Sequence, residues 1–230
     1  MRLDKFVTAC TDHSRSQAKK IISKGEVTVD GVFIRDPSLK LSDQNKVSLL
    51  GRRILLPGAR YIMLHKPLET VCTSINDDSR SVMGLLGIDN HETLHIAGRL
   101  DIDTTGLVLI TDDGAWSHRI TSPKKKCGKR YRVGLAEVVT EDVSAQFKQG
   151  IQLKDEAKPT RPAELAVLSS NEVLLTIHEG KYHQVKRMFA ALSNRVVSLH
   201  REKVGSIQLD ETLEEGQWRY LTEAEINSVI

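Results

Sequence analysis

An α+β fold with a mostly antiparallel mixed sheet is what this sequence predicts, on three observations. Short apolar runs of strand length recur at residues 61–64, 107–110, 163–168, 173–177 and 196–199. Amphipathic stretches of helical spacing separate some of these runs and not others, so the regular strand–helix alternation of a parallel sheet is missing. Neither an internal repeat nor a low-complexity segment interrupts the pattern. At 230 residues the chain has room for one good core and a small extra module.

The first elements form that module. Leu3, Phe6, Val7 and Cys10 fall at helical spacing, and Ser14 with Gln17 makes a capping box ahead of a second helix through Ala18, Ile21 and Ile22. Lys24-Gly25 reads as its end. Residues 26–29 and 32–34 flank Asp30-Gly31, the dipeptide best suited to a tight hairpin, and residues 47–50 offer a further strand. A stretch at 51–59, with two glycines, two arginines and Pro57, reads as a linker, which places a small domain at 1–57 and a large one at 58–230.

The large domain opens with the strand at 61–64. After a glycine-bounded loop come the strand at 107–110, a short helix at 115–120, a strand at 129–133 and a helix at 141–149. Pro159 and Pro162 bracket a bend before the strands at 163–168 and 173–177. A helix at 182–192 places Val185, Met188, Phe189 and Leu192 on one buried face, and residues 196–199 return as a strand.

Charge and cysteine usage narrow the function classes. Residues 1–57 hold eleven Lys and Arg against six Asp and Glu, a net of +5, whereas the rest of the chain holds 22 against 24, a net of −2. The basicity is therefore local, and Arg15, Lys19 and Lys20 at the start of the second helix offer a cationic face to a polyanion, although ordinary solvated lysines have the same look. Lys124, Lys125, Lys126 and Lys129, with Arg130 and Arg132, give a second basic run, beside Ser122-Pro123, suited to phosphate contacts. The odd number and wide spacing of Cys10, Cys72 and Cys127 argue against a disulfide framework or structural zinc. No apolar run approaches bilayer length and the N-terminus does not read as a secretory signal, so a soluble cytoplasmic protein is expected.

Residues 98–114 carry most of the chemical information. Gly98 and Gly106 permit a tight backbone path around Asp101, and the strand that follows, closed by Asp113-Gly114, anchors the loop. Taken alone, Asp101 is a loop carboxylate that caps its own turn and pairs with Arg99. Yet Gly98-Arg99-Leu100-Asp101-Ile102-Asp103-Thr104-Thr105-Gly106-Leu107, continuing through an apolar run to Thr111-Asp112-Asp113-Gly114, resembles at every fixed position the active-site motif of the RsuA and RluA-like pseudouridine synthases. The segment Glu179-Gly180-Lys181-Tyr182-His183-Gln184-Val185-Lys186-Arg187-Met188-Phe189 resembles a second motif of the same enzymes, Lys129-Arg130-Tyr131 their Lys-x-Tyr strand, and Leu199 an apolar pocket-floor position. Ser14-Arg15 through Ile22, followed by Gly25-x-Val27-x-Val29-Asp30-Gly31, resembles the S-four-type RNA-binding domain, named after a ribosomal protein. The full-length pattern is most similar to the RsuA family, which modifies small-subunit (16S) ribosomal RNA.

The resemblance implies a catalytic set of Asp101, Tyr131 and Lys186. Arg99, Gln184, Arg187 and Leu199 become substrate-binding positions, and Arg15, Lys19, Lys20, Lys124, Lys125, Lys126 and Lys129 RNA-binding ones. Asp101 is then the nucleophile acting on a flipped-out uridine, with the routes of attack on the sugar, attack on the base and charge stabilisation all open. A carboxylate in a closed pocket needs a cation beside it, and either Lys186 or Arg187 can supply one. Tyr131 is expected to pack on the base. No redox change or group transfer is involved, so no cofactor or metal is implied, and a monomer acting on ribosomal RNA without a membrane is expected. Three alternatives accompany this reading: a synthase for large-subunit (23S) RNA, a non-enzymatic RNA-binding assembly factor, and a metal-dependent phosphoryl-transfer enzyme using Asp101, Asp103, Asp112 and Asp113. The spacing speaks against the last, because a whole strand separates the two aspartate pairs.

Overall fold

The computed structural model describes residues 1–42, 44–55, 58–73, 80–88, 91–140 and 142–229. The chain divides into two units, Met1–Gly58 and Ala59–Ile230. Pro57, within the expected linker, and Glu141, at the expected start of a helix, lie outside the described residues.

The first unit packs α1 (Leu3–Cys10) and α2 (Arg15–Ser23) on a four-stranded antiparallel sheet of β1 (Val27–Val29), β2 (Val32–Ile34), β3 (Val47–Leu49) and β4 (Arg52–Arg53), in the order β2-β1-β3-β4. The capping box forms at Ser14 and Gln17, satisfying two backbone groups at the start of α2. Asp30 and Gly31 both adopt left-handed φ, 53° and 84°, as the two-residue hairpin requires. A second such hairpin, at Leu50-Gly51, pairs β3 with β4 inside the stretch that reads as a linker. Leucine rarely tolerates the φ of 49° it adopts there, so nothing in composition signals that turn. Leu3, Val7, Ala18, Ile22, Val27 and Val47 form the core. The fully buried Asp4 carboxylate accepts hydrogen bonds from Arg2 at 3.0 Å and Arg15 at 3.4 Å, which hold its pKa down to about 2.

The second unit is built on β5 (Tyr61–Lys66), β6 (His95–Ile96), β7 (Thr105–Thr111), α3 (Gly114–Thr121), β8 (Lys129–Leu135), α4 (Val143–Gln149), β9 (Glu164–Ser169), β10 (Glu172–Ile177), α5 (Gln184–Ala191), β11 (Val196–Val204), β12 (Ile207–Gln208), β13 (Trp218–Tyr220) and α6 (Glu223–Asn227). Its nine-stranded sheet runs β13-β5-β7-β11-β8-β10-β9, with β6 added to β7 and β12 to β11. β7 and β11 pair in parallel, and every other pair of these strands is antiparallel. The α+β, mostly antiparallel expectation therefore holds.

Both faces of the sheet centre are covered, which explains why residues 107–110 read as an unbroken apolar run. Val108 and Ile110 enter one core with Ile62, Leu64, Val133 and Phe189, whereas Leu107 and Leu109 enter the opposite one with Met63, Trp116 and Ile120. β11 extends beyond the expected 196–199 to Val204: Arg201, Glu202 and Lys203 interrupt the apolar pattern, and pairing with β8 resumes past a register shift between Arg201 and Lys203. α5 starts two residues later than expected, since His183 takes a left-handed φ of 44° ahead of it. The pair Asp113-Gly114 opens a helix: Asp113 accepts the backbone N–H groups of Ala115 and Trp116 at the start of α3. The short strands β6, β12 and β13 carry too few residues for any periodicity to show.

Gly106 is where the two central strands come closest. Its φ is +107°, and a Cβ there would lie 2.3 Å from the Arg201 carbonyl oxygen and 2.7 Å from the Arg201 nitrogen. Gly106→Ala is expected to destabilise the second unit by on the order of 3 kcal/mol, combining backbone strain with overpacking. Gly114→Ala, at the first position of α3 with nothing within 4 Å, is expected to cost nothing or to stabilise slightly. Both tryptophans belong to this unit, so urea unfolding followed by tryptophan fluorescence measures the contrast.

Candidate active site

The loop between β6 and β7 carries Asp101, and two buried cations hold its backbone. Arg201, 1% exposed, donates from Nη2 to the Gly98 carbonyl and from Nε to the Leu107 carbonyl, both at 2.8 Å, and from Nη1 to the Arg99 carbonyl at 3.4 Å. Lys66, fully buried at the end of β5, donates from Nζ to the carbonyls of Thr104 at 2.8 Å, Pro67 at 2.9 Å and Ile102 at 3.4 Å. Burial pushes the Lys66 ammonium below the usual lysine pKa. Both cations engage carbonyl dipoles, leaving the carboxylate of Asp101 for other partners. The loop is tied further by Leu100 N–H to Cys72 Sγ at 3.3 Å and by Thr104 N–H to the Asp101 carbonyl at 3.1 Å. Neither Arg201 nor Lys66 stands out in the sequence as a site residue; the only signal is a basic residue at the end of, or just beyond, an apolar strand.

The partner of Asp101 comes from α5. Lys186 Nζ lies 3.1 Å from Asp101 Oδ2 and 2.5 Å from Asp103 Oδ1. Burial by itself lowers the lysine pKa, but the hydrogen bonds it donates to Asp103 and Asp101 outweigh that and hold the ammonium above its ordinary value. The hydrogen bond from Lys186 likewise holds the Asp103 carboxyl below the usual range. His183 approaches from the other side, Nε2 to Asp101 Oδ1 3.6 Å. The choice the sequence left open thus resolves toward Lys186. Arg187 turns away: it donates to Glu156 at 3.2 Å and to the Lys154 carbonyl at 2.6 Å, outside the cavity lining.

Asp101, Tyr131, Lys186, Arg99, Gln184 and Leu199 all line one cavity of about 550 Å³, a size common among small-molecule sites. Tyr131 and Leu199 are 7% exposed and stand on the neighbouring strands β8 and β11. Arg99 is exposed at the rim. Gln184 is a support: its side-chain oxygen accepts from the Lys181 N–H at 2.8 Å and its Nε2 donates to Glu179 at 3.1 Å, closing the turn before α5. The described residues lining the cavity include five Lys and Arg and one carboxylate, Asp101. Such a wall suits an anionic substrate.

The basic run divides on folding. Lys124, Lys125 and Lys126 are exposed on a short helical turn that starts at Pro123, itself part of the cavity lining. Lys129 departs from the expected phosphate-binding set: it is 8% exposed, points its ammonium at the Cys127 and Ile120 carbonyls, and lines the cavity. Arg130 and Arg132 are both balanced by Glu202, and Arg132 also by Glu172, anions that cross-strand pairing brings in from distant sequence. In the first unit Lys19 and Lys20 are exposed on α2, and Arg15, also exposed, is paired with Asp4. Asp112 pairs with Arg60 at 2.8 Å and Asp113 caps α3, both at the far end of β7 from Asp101.

Residues 60–191 match the RNA pseudouridylate synthase family and residues 1–47 the S4 domain. The chain belongs to the pseudouridine synthases, enzymes that isomerise uridine in RNA. Within that family it is 55% identical over 229 residues to a ribosomal small subunit pseudouridine synthase A from Vibrio cholerae, covering 100% of this chain and 99% of the relative. It is 51% identical over 230 residues to the protein of that name from Salmonella typhimurium and 49% over 231 residues to that from Escherichia coli, with both chains fully covered in each case. A crystal structure of a pseudouridylate synthase superposes with a TM-score of 0.73 at 47% identity, covering 100% of each chain.

Arg201→Met removes the donors to the Gly98, Arg99 and Leu107 carbonyls, of which that of Leu107 is buried. A loss on the order of 3 kcal/mol is expected in the unfolding of the second unit. Lys186→Met, in a pair more than a quarter exposed at both partners, is expected to change that stability by less than about 1 kcal/mol. The same fluorescence-monitored denaturation compares them.

Proposed function

We propose that this protein isomerises a specific uridine of small-subunit (16S) ribosomal RNA to pseudouridine, with Asp101 as the nucleophile acting on a flipped-out nucleotide. The observation that carries the reading is the Asp101 carboxylate, the single one among the described residues lining the cavity, paired with Lys186 and facing the same space as Tyr131 and Leu199. The substrate class is supported by full-length identity of about half to proteins named small-subunit synthases.

The reaction exchanges one bond for another. The bond from ribose C1′ to N1 breaks, the base turns, C1′ joins C5, and the proton leaving C5 is balanced by one gained at N1. Nothing is oxidised and no group leaves the nucleotide. Asp101 acts as a nucleophile in its ionised form, and Lys186 Nζ lies 3.1 Å from its Oδ2. Tyr131 and Leu199 supply an aromatic and an apolar wall that keep the detached base from solvent while it turns. The exposed Arg99 at the rim, and Lys124, Lys125 and Lys126 on the adjoining turn, suit phosphates of the RNA on either side of the target. Lys19 and Lys20 on α2 offer the first unit a separate phosphate-binding face. Arg187 and Gln184 act on this reading as supports of α5 and its preceding turn, without touching substrate.

Mapping pseudouridine in small-subunit RNA from cells with and without the protein is expected to show one site lost, restored by the wild-type gene and left unrestored by Asp101→Asn. In vitro that variant is expected to bind the RNA within a few-fold of wild type and to lose at least 10³-fold in turnover, a loss of at least about 4 kcal/mol in transition-state stabilisation. Full turnover by Asp101→Asn rejects the nucleophile. Lys186→Met removes the hydrogen bond that holds the Asp103 carboxyl below the usual range, so the Asp103 pKa, followed by NMR titration, is expected to rise toward its ordinary value. An unmoved Asp103 pKa excludes Lys186 as the cause of that depression.

A further inference from the structure

Tyr182 is an aromatic ring that neither the core nor the catalytic set explains. It is 76% exposed, yet it lines the cavity. One face of the ring is stacked on His183, with centroids 3.8 Å apart and planes at 21°. His183 reaches in turn to within 3.6 Å of Asp101. The two rings therefore form a short stack that runs from solvent to the reactive carboxylate.

The backbone under the stack is unusual. His183 takes φ 44° and ψ 37°, left-handed values that a residue with a Cβ adopts at a cost, and its side chain makes no cap hydrogen bond at the start of α5. Helix capping does not account for a histidine at that position. The two rings are held instead on an anchored turn: Lys181 N–H is bonded to Gln184, the Gln184 amide to Glu179, and Lys181 Nζ to Glu156 at 2.6 Å. A large apolar surface left in water on a rigid support is a recognition feature more than a packing one.

We infer that the Tyr182–His183 stack is a binding subsite for an unpaired nucleobase adjacent to the target uridine. The inference rests on the reading of the cavity as a uridine-isomerising site. Drawing a nucleotide out of an RNA stack uncovers a face of its neighbour, and a planar aromatic at the cavity mouth covers that face again. Such stacking contributes about 1–3 kcal/mol per base and tolerates any base, since each has a π-face. The subsite therefore serves affinity and the position of the target, whereas the rate of bond exchange depends on the groups inside the cavity.

The test uses the full-length protein and a transcript of small-subunit ribosomal RNA, with Tyr182→Ala, Tyr182→Leu and Tyr182→Trp compared with wild type. Tyr182→Ala and Tyr182→Leu are expected to raise KM roughly 5- to 150-fold, the range that the stacking energy gives, with kcat within about threefold. Tyr182→Trp is expected to restore KM, a rescue that depends on a flat ring. In a parallel binding assay, fragments of the transcript carry 2-aminopurine beside the mapped uridine, and its fluorescence should be quenched by wild type and Tyr182→Trp and unquenched by Tyr182→Ala. An unchanged KM for Tyr182→Ala, a Tyr182→Trp protein as poor as Tyr182→Leu, or fluorescence indifferent to residue 182 overturns the subsite. Absence of turnover by the wild-type protein counts instead against the isomerase reading, and the fluorescence, which needs only binding, still decides on the stack.

Discussion

The buried guanidinium of Arg201 is the constraint on which the rest of the site depends. It sits on one of the two central strands and binds three carbonyls of the loop and strand around Asp101, directly beside the contact where Gly106 lets the strands approach. A buried cation satisfied by dipoles fixes a backbone without neutralising a carboxylate. Lys66 does the same from the other flanking strand. Asp101 is thereby delivered into the cavity on a loop whose own carbonyls already occupy the nearest buried positive charges.

From that arrangement the electrostatics follow. Among the described residues that line the cavity one carboxylate stands with five Lys and Arg, a balance that suits an anionic substrate, and Lys186, shared between Asp101 and Asp103, is the cation bonded to it. A lysine fits this shared position because an ammonium is a compact point charge with three donors, whereas a guanidinium fork matches a single carboxylate face. Arg187 illustrates the difference: its fork spans Glu156 and two backbone carbonyls and braces α5.

Much of this was legible in the residues themselves. Asp30-Gly31, the Ser14–Gln17 capping box and the double-sided apolar run at 107–110 each state a local physical requirement that the fold meets at that position. Asp101, Tyr131, Lys186 and Leu199 came from motif resemblance, and the topology brings all four to one cavity. What escaped depends on distant partners. Lys129 reads as one more lysine of a basic run until the strand is placed and buries it, and Arg130 and Arg132 lose their free charge to Glu202, about seventy residues away. The β4 hairpin escaped because Leu50 adopts a conformation its side chain disfavours. Arg201 escaped because its role lies in carbonyls, which every residue carries.

On the proposed function, the target nucleotide meets the carboxylate at position 101 outside its RNA stack. A structure of the Asp101→Asn protein bound to a fragment of small-subunit RNA containing the mapped uridine tests it most directly. That uridine is expected out of its stack, its base between Tyr131 and Leu199 and a reacting carbon of its sugar or base within about 3.5 Å of the residue 101 side chain. A target base still stacked in the RNA, or a flipped nucleotide held nearer to another carboxylate, contradicts it.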